Sequence, residues 1–125
     1  MIMTFLQVAL GGAIGSMLRF GTGLAMLRLT GAGFPLGVLC VNILGSFLIG
    51  VFVMMSFQRG MQHLNPFVIT GVLGGFTTFS AFSLEAFTLY ERGEVVQAGL
   101  YVALSVGASL AALVLGVWLA RAFWA

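Results

Sequence analysis

Charged residues are scarce in this chain of 125 residues: lysine and aspartate are absent, three glutamates are the only acidic residues, and five arginines are the only strongly basic ones. Charged residues make up 6% of the sequence, against roughly 25% in a typical soluble domain. Hydrophobic residues make up 61%, so a water-facing surface cannot be built from this composition. The scarcity excludes a soluble enzyme, a nucleic-acid binder with a basic face and a disordered chain. It predicts an integral membrane protein.

Cysteine and histidine are equally sparse, with one residue of each, Cys40 and His63. A single cysteine gives no disulfide framework, and these two residues give no metal-ligand cluster. Cys40 lies in an apolar stretch and is interpreted as a small buried residue. A Ser/His/Asp set is excluded because aspartate is absent. We therefore expect the protein not to be an enzyme.

Long charge-free stretches predict four membrane-spanning helices, since a bilayer core needs about 20 mostly apolar residues per helix. Glycines, an Asn-Pro pair and a short charged turn separate the stretches. The predicted helices lie near residues 3–27, 34–57, 66–90 and 95–123. The first one lacks the basic start and cleavage pattern of a signal peptide. We expect a single all-α transmembrane domain over residues 1–125, with any function inside the membrane.

The arginines do not favour one orientation in the membrane. With an even number of spans, Arg59 and Arg121 lie on the side of the termini, and Arg28 and Arg92 lie on the other. The positive-inside rule needs an excess on one side to fix topology. The balance predicts that chains insert both ways and form an antiparallel, dual-topology homodimer; a fixed orientation set by a weaker feature is the alternative. A dimer is also favoured because four helices alone could hardly enclose a hydrated path.

Pairs of small residues four positions apart predict helices that pack closely in lipid. These pairs are Gly11 and Gly15, Ser46 and Gly50, and Gly71 and Gly75. With 18 glycines in the chain, some pairs arise by chance. The pattern therefore predicts close packing without showing which helix faces meet.

The third predicted span contains a sequence that disfavours a continuous helix: Gly74 and Gly75, followed by Thr77 and Thr78. Glycine and β-branched threonine are poor helix formers, so we predict a break near Thr78. A break frees backbone groups, which is tolerated at membrane depth only where the backbone is buried in protein or lines a cavity. Such breaks are typical of ion sites. The alternative is an intact helix whose hydroxyl groups bond to carbonyls one turn earlier.

Aromatic and polar side chains recur at helical spacing around and after the predicted break. The phenylalanines are Phe76, Phe79 and Phe82, and the hydroxyl residues beside them are Thr77, Ser80 and Ser83. In the fourth span, a polar residue recurs every four positions at Gln97, Tyr101, Ser105 and Ser109. Ring edges are electropositive, and neutral donors suit a small anion that must bind and still leave. Packing of the rings and hydrogen bonds between helices are the alternatives.

Three further polar residues lie inside predicted spans. Asn42 is the one amide of the second span, and its NH₂ group can donate to an anion. Arg19 and Glu85 are functional candidates because ionisable residues within a membrane usually have a role. Arg19 either attracts anions to a vestibule or extends to the interface, and we interpret Glu85 as a structural carboxylate.

These motifs resemble the Fluc/CrcB family of bacterial fluoride channels. The resemblance rests on Gly-Gly-x-Thr-Thr-Phe-Ser-x-Phe-Ser at 74–83, on Asn-Ile-Leu-Gly at 42–45, and on Gly-Gly-x-x-Gly-Ser-x-x-Arg at 11–19. It implies a passive, fluoride-selective channel in the bacterial inner membrane. It also implies an antiparallel dual-topology homodimer with two fluoride pores and a structural sodium ion at its centre.

The resemblance also implies roles for individual residues. The fluoride pore would be lined by Asn42, Phe79, Ser80, Phe82, Tyr101, Ser105 and Ser109. The backbone carbonyls of Gly74 and Thr77 would bind sodium, and Arg19 would shape a vestibule. Ala81 stands where some relatives have Ser or Thr, so one hydroxyl group of the lining is missing here.

Three other functions remain as alternatives. A small proton-coupled multidrug exporter needs a carboxylate in its first helix, and no glutamate precedes Glu85. A proton-coupled fluoride antiporter would have to rely on Glu85 as its titrating group. A non-transporting subunit of a larger complex would move no ion by itself.

Overall fold

The structure is a computed structural model that describes residues 1–31 and 33–124, and every regular element in this part of the chain is helical. The four longest helices are α1 (Ile2–Thr30), α2 (Leu36–Arg59), α4 (Phe79–Glu91) and α5 (Val95–Trp124). Between α2 and α4 lie a 3₁₀ turn (Gln62–Leu64), a π-helical segment (Pro66–Leu73) and the short α3 (Gly74–Phe76).

Four stretches of this part of the chain are long and apolar enough to cross a membrane. They are Ile2–Thr30, Leu36–Arg59, Gln62–Glu91 and Val95–Phe123. The prediction of an all-α protein with four spans is confirmed in this sense. The first span continues three residues beyond its predicted end, to Thr30. The second begins after Pro35, which cannot continue a helix backwards because it lacks an N–H group.

Glycines in left-handed conformations end two of the spans. Gly60 caps α2 with φ 68° and donates its N–H to the carbonyl of Ser56. Gly93 has φ 82° in the charged turn before α5, and its N–H donates to the carbonyl of Tyr90. A residue with a side chain rarely adopts this conformation, so the glycines fix where the chain reverses.

The third span is interrupted at Thr77 and Thr78, and the predicted break is therefore present. Both residues have extended backbones, with ψ 157° at Thr77 and φ −155° at Thr78. Thr78 caps α4, since its side-chain oxygen accepts a hydrogen bond from the N–H of Ala81 at 3.1 Å. The π-helical segment before the break is a feature that the sequence did not predict; its wide turn ends where the N–H of Gly74 donates to the carbonyl of Ile69.

Small residues bring α1 against the first half of the third span. A Cβ atom added at Gly11 would lie 2.5 Å from the carbonyl oxygen of Phe67 and 2.9 Å from the Cα of Gly71. One added at Gly15 would collide with the carbonyl oxygen of Val72. The two predicted Gly-x-x-x-Gly pairs thus face each other, and the backbones touch where a side chain would not fit.

A small hydrophobic core lies close to the break in the third span and includes Phe82, which follows the break in α4. Its buried residues are Leu39, Phe82, Leu89, Ala98 and Tyr101. Helix α2 packs most extensively on α5, and α1 packs on the π-helical segment. Most other large apolar side chains of this single chain are exposed, as expected for a protein whose surroundings are lipid or a second chain.

Candidate functional site

The amide of Asn42 replaces the missing helical partners of Thr78. Its Nδ2 donates to the carbonyl oxygen of Thr78 at 3.0 Å, and the N–H of Thr78 donates to its Oδ1 at 2.8 Å. Asn42 lies on α2, so the bonds tie the break to a neighbouring helix. Backbone groups without partners are costly at membrane depth, and this pairing satisfies two of them. One N–H of the amide is left for another acceptor.

The same arrangement frees the carbonyls of Gly74 and Thr77. In an intact helix, Gly74 would accept from the N–H of Thr78, which here donates to Asn42. Thr77 would accept from the N–H of Ala81, which here donates to the Thr78 hydroxyl. Both predicted sodium ligands therefore lack the donor that lies four residues further along a helix.

Arg19 binds a third carbonyl of the break. Its Nε donates to the carbonyl oxygen of Gly75 at 3.0 Å, and the side chain is half-buried. Arg19 also lines a cavity of about 250 Å³ together with Val41, Thr78 and Ala81. The Nε of Arg19 is thus held at the break, and both of its expected roles, at a vestibule or at the membrane interface, stay predictions.

A cavity of about 320 Å³, termed the main cavity, lies beside the break. Its polar lining residues are Asn42, Ser46, Thr77, Thr78, Ser105 and Ser109. Its apolar lining residues are Ile49, Phe79, Phe82, Val106 and Leu110. Five of the seven predicted pore residues meet here. Ser80 and Tyr101 are the other two: Ser80 is exposed with its Oγ 3.2 Å from the Thr78 hydroxyl oxygen, and Tyr101 is buried behind Phe82.

Three hydroxyl groups on α5 are buried without a hydrogen-bond partner among the described residues: those of Tyr101, Ser105 and Ser109. Buried polar groups are nearly always hydrogen-bonded. The hydroxyls of Tyr101 and Ser105 lie on successive turns of α5, close enough to interact with each other, and the row keeps hydrogen-bonding capacity for a bound ion. Ser105 and Ser109 line the main cavity. Gln97, the first member of the predicted polar row, is exposed, so the buried row comprises three residues.

The phenylalanines around the break have different environments. Phe79 is 77% exposed and Phe82 is 8% exposed, and their ring centroids are 5.4 Å apart at 56°. Phe76 is buried on α3, before the break. Although the three phenylalanines are spaced as on one helix face, Phe76 is separated from the other two, because the extended residues Thr77 and Thr78 change the direction of the chain.

The hydroxyl groups beside these phenylalanines are mostly engaged with the backbone. Thr77 donates to the carbonyl of Leu73 at 3.0 Å, and Ser83 donates to that of Phe79 at 3.0 Å. This is the bonding expected of the intact-helix alternative, although the helix is broken. The predicted donor row therefore contributes less to the site than the serines of α5.

Sequence reasoning missed Ser46 as a member of the site. Ser46 lies one turn after Asn42 on α2 and lines the main cavity. The signal was available, since residues four apart share a helix face. The bond between Arg19 and Gly75 left no such signal, because 56 positions separate the two residues in sequence.

The fold and this site define a multi-pass membrane protein with a discontinuous helix and, beside the break, a cavity that carries hydroxyl and amide groups among apolar side chains. Residues 6–117 match the family model described as "CrcB-like protein, Camphor Resistance (CrcB)". The chain belongs to the CrcB family, and the resemblance drawn from its motifs is confirmed.

Relatives with high identity carry the name "Fluoride-specific ion channel FluC". The protein of Ruegeria sp. (strain TM1040) is 62% identical over 122 residues, which cover 97% of both chains. That of Roseobacter denitrificans is 58% identical over 120 residues, covering 94% of this chain and 95% of the relative. That of Jannaschia sp. (strain CCS1) is 64% identical over 105 residues, covering 80% of this chain and 100% of the relative. The relatives are named as ion channels, and the chain is not an enzyme.

Proposed function

We propose that the protein is a passive, fluoride-selective channel. The observation that carries the proposal is the main cavity, where two phenylalanine rings and two unpartnered serine hydroxyls meet at a break in a membrane-spanning helix. The described residues that line it include no lysine, arginine or acidic residue. A neutral, largely apolar lining with a few hydrogen-bond donors suits an anion that binds and leaves, and the names of the relatives support fluoride as that anion.

The lining offers fluoride two kinds of positive charge. The hydroxyls of Ser105 and Ser109 and the remaining N–H of Asn42 are hydrogen-bond donors that replace water around a small anion. The ring edges of Phe79 and Phe82 add a weaker electropositive contact. Chloride is larger and less strongly hydrated, so a narrow path with closely spaced donors favours fluoride.

The direction of transport follows from the acid chemistry of fluoride. Its conjugate acid is weak and crosses membranes uncharged, then dissociates in a neutral cytoplasm and leaves the anion trapped. An inside-negative potential drives each charge outward with about 2.3 kcal/mol per 100 mV. A passive pore in the bacterial inner membrane therefore exports fluoride without an energy source of its own.

We propose an antiparallel, dual-topology homodimer in the lipid bilayer as the working assembly. The balanced arginines on the two sides support insertion in both orientations. The exposure of Phe79, which lines the main cavity yet is 77% exposed, supports a second chain as the missing wall. The exposed Gly74 and Ser80, which flank the break, support the same interface. Two chains would then form two fluoride pores.

A structural sodium ion fits the freed carbonyls of Gly74 and Thr77. Unwound backbone carbonyls coordinate sodium in other membrane proteins, and two chains would supply two such pairs at the dimer centre. When bound, the ion would neutralise the carbonyl dipoles that converge there. The carbonyls are neutral and do not titrate, so they would hold the ion without coupling it to proton transfer. The carbonyl of Gly75, between these two residues, already accepts a hydrogen bond from Arg19 and is less available as a ligand.

Glu85→Gln tests whether transport is passive or proton-coupled. Glu85 is half-buried and does not line the main cavity, so we expect its neutral analogue to retain most of the voltage-driven fluoride efflux. The measurement is fluoride release from liposomes across a series of pH values, with a potassium gradient and valinomycin setting the potential. Loss of efflux together with its pH dependence would favour the antiporter instead. Glu91→Gln, in the exposed turn, is the control for loss of one carboxylate.

A further inference from the structure

Two glycines bring the backbones of α2 and α5 into contact beside the main cavity. A Cβ atom added at Gly50 of α2 would collide with the carbonyl oxygen of Leu113 and lie 3.1 Å from the backbone nitrogen of Val117. One added at Gly116 of α5 would collide with the carbonyl oxygen of Phe47. Both glycines are buried. The contact is therefore reciprocal, and the two helices approach as closely as their backbones allow.

The same parts of the two helices form walls of the main cavity. On α2, Ser46 and Ile49 line the cavity, and Gly50 follows them directly. On α5, Ser109 lines the cavity two turns before Gly116. The distance between these walls thus depends on how closely α2 and α5 approach at the two glycines.

Helix α5 is the element that can yield to a larger side chain at this contact. Helix α2 is held from its other side, because a Cβ atom added at Gly45 would collide with the Cγ2 of Thr77 and lie 3.3 Å from the ring of Phe76. By contrast, the side of α5 that carries Leu104 and Leu115 is exposed. Carbon atoms pack about 3.5–4.0 Å apart, so a methyl group at either glycine would move α5 outward by roughly 1 Å.

We propose that the contact at Gly50 and Gly116 sets the width of the main cavity, and with it the preference for a small anion over a larger one. The described lining residues carry no charge, and two halide ions carry the same charge, so size and hydration must distinguish them. Ser105 is 5% exposed, and Ser109 has a buried hydroxyl without a partner among the described residues. Such donors replace water around a small ion only when they are held close to it. The identity of the anion rests on the proposed function, whereas the effect of the contact on the width does not.

Gly50→Ala and Gly116→Ala test the preference in liposomes that contain the full-length protein. Ion electrodes follow the release of fluoride and chloride after valinomycin sets the potential. We expect fluoride release to persist, chloride release to rise above that of empty vesicles, and the preference for fluoride to fall by about tenfold, equivalent to about 1.4 kcal/mol. Both changes relieve the same contact, so the double variant should lose less than the two single losses combined. Alanine favours a helix more than glycine does, which helps the variants to fold.

The width can also be followed without ion transport. Ser109→Cys in a Cys40→Ala background places the one thiol of the chain at the wall of the main cavity. Its rate of reaction with a small methanethiosulfonate reagent should rise severalfold when Gly116→Ala is added. If the unmodified protein moves no fluoride, the proposed function fails, and this rate by itself decides whether the contact sets the width.

Two other glycines supply matched controls. Gly107→Ala adds a methyl group to α5 where nothing lies within 4 Å, so neither measurement should change. Gly15→Ala is as crowded as the test variants, since its Cβ would collide with the carbonyl oxygen of Val72, but it presses on the contact between α1 and the third span. It should lower the unfolding temperature without lowering the preference for fluoride.

The outcome is decisive in either direction. A folded Gly50→Ala or Gly116→Ala protein with an unchanged preference would overturn the proposal, as would an equal fall in the Gly15→Ala protein. Ile49→Ala enlarges the cavity beside the contact without pressing on α5, and it should lower the preference to a smaller degree. If neither glycine variant folds, an unchanged preference in the Ile49→Ala protein would overturn the proposal.

Discussion

We expect Asn42→Leu to abolish fluoride efflux and to lower the unfolding temperature of the protein in detergent by several degrees. The substitution removes both bonds to Thr78 and leaves its N–H and carbonyl without partners. An unsatisfied buried polar group costs about 1–3 kcal/mol, and here there are two at the point where the helix is broken. The measurements are fluoride release from liposomes and a thermal unfolding curve.

Two variants on the same helix separate the bonds from general effects of substitution in α2. Cys40→Ala alters a half-buried side chain two positions away and should change neither measurement strongly. Ser46→Ala removes a hydroxyl that lines the main cavity and makes no described bond to the break, so we expect reduced efflux with little loss of stability. An Asn42→Leu protein as stable and as active as the unmodified one would show that the break does not depend on this amide.

We expect Phe79→Ile to abolish fluoride efflux while the fold and the proposed dimer survive. Phe79 is 77% exposed in the single chain, so its ring contributes little to the packing of that chain, and its loss is a loss of the ring edge at the main cavity. Phe82→Ile should also stop efflux, but at a cost in stability, because Phe82 is buried in the core against Tyr101. Removing core volume destabilises by about 1–3 kcal/mol for a change of this size. Fluoride release, size-exclusion chromatography and thermal unfolding distinguish the two variants.

Phe87→Ile is the matched control for Phe79. Phe87 is another exposed ring, two turns further along α4, and it does not line the main cavity. Its replacement should leave fluoride efflux unchanged. Normal conduction by the Phe79→Ile protein would refute the role assigned to the ring edge, whatever the control shows.

The number of spans and the position of the break were predictable because both depend on local sequence. Apolar stretches of about 20 residues have few alternatives to a membrane helix, and the four spans result from them. Gly74 and Gly75 with Thr77 and Thr78 weaken one helix enough for it to break, and the extended backbone lies at those threonines. The unpartnered serines of α5 were indicated by their four-residue spacing.

The contacts that hold the break were not predictable, because they join residues far apart in the sequence. Asn42 was expected to donate to an anion, which stays a prediction for its remaining N–H, but its two bonds to Thr78, 36 positions away, were not expected. Arg19 binds the carbonyl of Gly75 across the packed glycines of α1, a pairing that depends on how closely two helices approach. The extended backbone at Thr77 and Thr78 separates Phe76 from the helix that carries Phe79 and Phe82, so Phe76 could not be placed from spacing alone.

Fluoride and chloride efflux from liposomes that contain the purified, unmodified protein tests the proposed channel function most directly. A fluoride electrode and a chloride electrode follow release from matched vesicles after valinomycin is added, in buffer that contains sodium. A passive, fluoride-selective channel predicts rapid, voltage-driven release of fluoride and no release of chloride above that of empty vesicles. Release of both anions at similar rates, or of neither from a well-folded dimer, would contradict it.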